Sequence, residues 1–143
     1  MNVDQLEAAI VSRLGAVSAV TDLLGSVPGG YQTHAIYTMV PQADMSEDDS
    51  YFPFIKVGPA TGAPWDTDDT EGAAVVVPVN VTARDNTLSE VMDAVYDALH
   101  RFDLVISGAN TVDCLAEQVT GYDGPDGVTR HRVCTFRVTY DSI

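Results

Sequence analysis

Carboxylates are the commonest reactive groups in this chain. Its 143 residues carry 21 Asp+Glu against 7 Lys+Arg, a formal net charge of −14. Two clusters stand out, Asp44-Met45-Ser46-Glu47-Asp48-Asp49 and Asp66-Thr67-Asp68-Asp69-Thr70-Glu71. Asp66, Asp68, Asp69 and Glu71 supply enough oxygens for a calcium ion, but the EF-hand spacing and its glycine are missing. Solvated acidic loops, serving as contact or repulsion surfaces in an assembly, are the better reading. Trp65 and Tyr51 border these loops and would either anchor a partner or fold the loop back on the protein. The counter-charge is concentrated at Arg130-His131-Arg132 with Arg137. Arg130 and Arg132 set against the acidic loops give one chain two surfaces of opposite sign. In a head-to-tail ring each subunit's arginines would meet the next subunit's carboxylates; the bland alternative is that they shield carboxylates of their own chain. The candidate assembly-interface residues are Asp44, Glu47, Asp48, Asp49, Trp65, Asp66, Asp68, Asp69, Arg130 and Arg132.

Other chemistries find little to work with. There is no G-x-S-x-G, P-loop, G-x-G-x-x-G, C-x-x-C or H-E-x-x-H. The histidines His34, His100 and His131 stand apart in sequence without a local motif, so no catalytic residue, cofactor or metal is expected. Cys114 and Cys134 read as two small core residues in a reducing compartment. A turn symmetric about Gly124 would set them directly opposite each other, within reach of a cross-strand disulfide. With one lysine, Lys56, and six scattered arginines, the chain lacks the cationic cluster needed to grip nucleic acid or an anionic membrane. The N-terminal stretch carries acids where a secretion signal needs positive charge, and no apolar run reaches the ~18 residues of a membrane span, so a cytoplasmic protein is expected.

These groups need elements to position them. Residues 3–24 read as helix broken at Gly15, with Gly25 as a C-terminal cap. Short apolar stretches at His34–Tyr37 and Phe52–Val57 read as strands, held to edges or strand ends by Pro41, Pro53 and Pro59. Ala74–Arg84 alternates Val75, Val77, Val79 and Val81 against Val76, Pro78, Asn80 and Thr82, predicting a strand with an edge or bulge at Pro78. Leu88–Phe102 carries a stripe of Leu88, Val91, Met92, Val95, Leu99 and Phe102, with Thr87 and Glu90 spaced as a capping box and Arg101 near the end of the helix. Thr111–Val119 and Val128–Tyr140 flank a turn-rich run and read as a hairpin, with Cys134, Phe136, Val138 and Tyr140 on one face. A length of 143 residues fits one domain. The expected fold class is α+β, a mostly antiparallel sheet with helices packed on one face.

The order of these segments resembles the tail terminator, or tail completion, proteins of long-tailed bacteriophages and gene transfer agents. The resemblance is carried by Leu6–Ile10, Leu23-Leu24-Gly25, His34–Tyr37 with Val40-Pro41-Gln42, Phe52–Ile55, Val79–Arg84, Val91–His100 and Asp126–Val133. The acidic stretch around Asp44–Ser50 departs from the family pattern. The resemblance implies a non-enzymatic virion protein without cofactor, assembled in the host cytoplasm and placed in the tail-neck region. It implies a ring, usually six-fold, on the head-proximal end of the tail tube. That ring would stop tube polymerisation and present the surface that joins the head's connector or stopper, with DNA only passing through its lumen. The alternatives are another neck or tail subunit (a stopper or tube protein) and a small metal-dependent enzyme built on the acidic cluster.

Overall fold

In the computed structural model, residues 3–28, 32–40, 49–66, 71–106, 109–125 and 127–142 are described. Helix α1 (Val3–Gly15) is followed by a one-turn α2 (Ser18–Thr21) and strands β1 (Ile36–Tyr37), β2 (Phe54–Val57), β3 (Thr61–Asp66) and β4 (Glu71–Ala83). Helix α3 (Leu88–Leu99) leads into the C-terminal hairpin of β5 (Ala109–Asp123) and β6 (Arg130–Ser142). The described strands form one six-stranded sheet in the order β1-β2-β4-β6-β5, with β3 also pairing β4. Only β1 and β2 run parallel; every other pair is antiparallel. This is the α+β class that the pattern of elements predicts.

The alternation in β4 decides which face is buried. Val77, Val79, Val81 and Ala83 are fully buried, as are Cys134 and Phe136 on β6 and Cys114 on β5. Helix α3 lays Leu88, Val91, Met92, Val95, Ala98 and Leu99 on that face, and α1 adds Leu6, Ile10 and Leu14. A second, smaller cluster of Ala35, Tyr37 and Phe54 lies on the other side of the sheet, covered by Leu24, Val27, Tyr51 and Phe52.

Several local expectations are revised. The helix predicted to run to Phe102 stops at Leu99, because His100 turns extended and Arg101 takes a left-handed φ of 61°. Thr87 makes no side-chain cap; Asp85 Oδ1 accepts from both the Thr87 N–H and its hydroxyl instead. Gly25 lies beyond the end of α2 and does not cap it. Its N–H donates to the Pro53 carbonyl, and a Cβ there would stand 2.6 Å from the Ser50 carbonyl, so glycine is needed for close approach of two backbones. Pro78 sits in a central strand, and the interruption lies in its neighbours. Strand β2 covers β4 at residues 79–82 and β3 covers the same edge at 71–76. The Pro78 carbonyl accepts from Gly58 N–H in the gap between them, at 2.8 Å. Carbonyl and nitrogen of one strand residue face the same edge, so the missing donor falls where no ladder partner stands.

Candidate assembly interface

The acidic stretch around Glu71 is where sequence and structure differ most. Asp66 and Glu71, expected in a loop, are the last paired residues of a β3–β4 hairpin whose register runs from Thr61↔Val76 to Asp66↔Glu71. Thr-Gly-Ala-Pro-Trp-Asp shows no apolar alternation, and pairing along the length of β4 supplies what the segment's own sequence lacks. Trp65 pairs with Gly72 within this hairpin. Asp44, Glu47, Asp48, Asp68 and Asp69 lie outside the described residues. Asp49 lies within them, exposed, at the start of a 3-10 turn (Asp49–Tyr51).

The Asp49 carboxylate is held by Arg84, at 2.9 Å, although 35 residues separate the two. The Arg84 guanidinium also donates to Thr129 Oγ1 at 3.1 Å and lies 4.3 Å from the Phe52 ring centroid. Arg84 was not among the candidate residues. Its sole local signal is an arginine directly after a strand, too weak to name three partners from distant segments.

Strand alternation divides the basic cluster. Arg130 and Arg132 point to the helix side of the sheet, in register with Ala83 and Val81; His131 points to the opposite side, in register with Thr82. On that open side, Thr82 Oγ1 and His131 Nδ1 are 2.9 Å apart, and the His131 ring stacks on Tyr122 with centroids 4.4 Å apart. Tyr122 in turn accepts from Asn80 Nδ2 at 3.2 Å. Exposed Leu115 and Tyr122 and half-buried Val76, Pro78 and Val133 share this helix-free face.

On the helix side, Arg130 and Arg132 line a groove of about 240 Å³ with Leu88, Gly121 and Asp123. Arg130 makes a loose pair with exposed Asp123 at 3.6 Å, whereas Arg137 pairs with Glu117 at 3.1 Å. Shielding within the chain, the bland alternative, therefore accounts for Arg137 and partly for Arg130.

The cysteines are not opposed. Cys134 faces Val119 and Cys114 faces Val138, because Arg130 pairs with Asp123 and a bulge between Ala116 and Gln118 shifts the register by one. The strands continue through Gly121 and Tyr122, placing the reversal later than a turn about Gly124 requires. Both thiols are free and buried. Burial pushes Cys114 up to about 12, with Cys134 nearby adding to the rise, and pushes Cys134 up to about 11. Such thiols stay protonated and inert. Among the described residues no three His, Cys, Asp or Glu side chains group as metal ligands, and no helix is long and apolar enough to cross a membrane.

The family of tail completion protein gp17 matches residues 8–141, from the middle of α1 to the end of β6. The chain belongs to this tail completion family. It is thus related to structural proteins of a virion tail. In fold it is similar to a chain in the virion of a native gene transfer agent (GTA) particle, with a TM-score of 0.76 and 21% identity over 96% of this chain and 95% of that one. No curated protein sequence matches it.

Proposed function

We propose that this tail completion protein is one tail-terminator-like domain that caps the head-proximal end of the tail tube as a closed ring, six-fold by analogy with the family. The ring ends tube polymerisation and presents the surface joined by the head's connector or stopper. The family match across 134 of 143 residues, positions 8 to 141, is the observation that carries this reading. The GTA virion neighbour, alike in fold along nearly its full length, adds the setting of an assembled particle.

The molecule has surfaces suited to that role. A closed ring requires two different patches on each subunit. The sheet leaves one face free of helices, and β5 offers a 15-residue edge strand, which proteins that stay alone tend to cover or shorten. A net charge of −14 sets free copies repelling one another, which favours assembly on the tail tip over assembly in solution. The same charge, if it lines the lumen, lets DNA slide without sticking.

Light scattering on the purified protein, alone and with purified tail tubes, tests the reading. Closed rings, or monomers that bind tube ends and halt growth, are expected, and raised salt should increase the ring fraction. Open filaments would indicate a tube subunit. Failure to bind tubes at all would remove the cap.

A further inference from the structure

We propose that the groove holding Arg130 and Arg132 receives the Asp66/Glu71 end of the β3–β4 hairpin from a second copy of this chain, joining copies head to tail. The inference rests on the ring reading above and names its joint.

Three observations carry it. The first is the groove itself. Arg132 is half-buried and, among the described residues, has no carboxylate partner, in a chain where acids outnumber bases threefold. Its side chain lies across Gly121, where a Cβ would stand 3.1 Å from Arg132 Nη1 and 3.3 Å from its Cδ. Glycine at that position gives the guanidinium room to lie across β5. Leu88, the first residue of α3, borders the same groove, so the partial positive charge of a 12-residue helix adds to that of the arginines. Among the described residues Asp123 is the one acid lining it, and it is engaged loosely by Arg130.

The second observation is position. Strand β4 begins at Glu71, paired with Asp66, and ends at Ala83, paired with Arg130. Twelve residue steps at ~3.3 Å put the acidic hairpin end and the basic groove about 40 Å apart. The chain cannot close this contact on itself. A neighbouring copy can, and two unlike patches at opposite ends of one sheet are what a heterologous contact consists of.

The third is charge. Copies that repel overall need a local match to choose one register, and these two ends carry opposite signs. The apolar groove along α1, about 530 Å³ and bordered by Arg13 and Val105, shows no such complement.

The experiment uses the full chain on purified tail tubes. Arg132→Cys and Glu71→Cys proteins, mixed and mildly oxidised, should form a disulfide-linked pair that neither variant forms alone. Buried Cys114 and Cys134 stay silent in that assay. Separately, Arg132→Glu should weaken assembly by about tenfold or more, since like charges face each other. Adding Asp66→Arg and Glu71→Arg to the same chain should restore it, which also shows that the variant folds. Wild-type assembly without the cross-link or the rescue would overturn this joint and leave the ring reading standing. A defect in Arg132→Glu that only a charge change in the tube or stopper protein repairs would assign the groove to that partner and overturn the proposal. A wild type that never assembles would remove both.

Discussion

The two faces of the sheet are built from the same strands and obey different rules. On the helix-covered face Val77, Val79, Val81, Cys134 and Phe136 are fully buried in one apolar cluster, which gives way to Arg132 and Arg130 only at the end of β6. One residue over, the open face alternates Val76, Pro78, Asn80 and Thr82 with His131, Val133, Thr135 and Arg137, a mosaic of hydrogen bonds, one aromatic stack and one ion pair. The covered face can fix the fold by volume alone. The open face adds little to the core and is therefore available for contacts with other proteins.

Substitutions should separate the two faces by size of effect. Phe136→Ala, which empties the largest fully buried site among the described residues, should cost about 3–5 kcal/mol in denaturant unfolding. A loss as small as that of an open-face change would contradict the division. The thiols on the covered face predict a pH effect. They ionise near the ordinary 9.0 in the unfolded chain but only at about 12 and 11 when folded. Stability is therefore fully present below pH 9 and declines as pH rises toward 11–12. Thermal melts from pH 8 to 11 should show the decline, and Cys114→Ala with Cys134→Ala should flatten it.

On the open side, Arg84→Met removes the Asp49 pair, the Thr129 hydrogen bond and the Phe52 contact together. The Arg84 side chain is only 14% exposed, so solvent screens it incompletely, and about 1–2 kcal/mol should be lost. Thr82→Val deletes the hydroxyl bonded to His131 and should cost about 1 kcal/mol. The smallest change should be a gain. Arg101 holds φ at 61° without being glycine, so Arg101→Gly should raise stability by about 0.5–1 kcal/mol.

The covered face was legible in the sequence because burial imposes a period. Val75 to Val81, the Leu88–Leu99 stripe and the Cys134-Phe136-Val138 series all appear as simple spacing, and with them the fold class. The division of Arg130 and Arg132 from His131 was legible by the same alternation. What spacing does not carry is pairing. The β3 hairpin has a proline, a glycine and an acid in six residues and becomes a strand only because β4 is long enough to template it. The Cys114 partner depended on where the hairpin reverses, later than Gly124 by enough to move the pairing four residues along β6, and a run of turn residues does not mark that point. Of the candidate interface residues, Asp49 carries a described ion pair and Arg130 and Arg132 share a groove, whereas Trp65 and Asp66 are placed by backbone register alone. Arg84, which gathers residues 32 to 45 positions away, has no sequence signature because its role exists only after folding.

The anchoring of residues 49–53 has a mechanical consequence. This short segment is tied at three places: to the Gly25 and Ser26 backbone, to Arg84 at the end of β4, and through Phe54 into β2. The three anchor points belong to parts of the chain far apart in sequence, so they act like a tripod. A pull applied at Asp49 divides among the N-terminal helices, the central strand and the C-terminal hairpin, the last through the hydrogen bond from Arg84 to Thr129. No single element bears the load alone, and tearing the segment loose requires several attachments to fail together. That sharing of force matters as much to the segment's hold as the strength of any one bond.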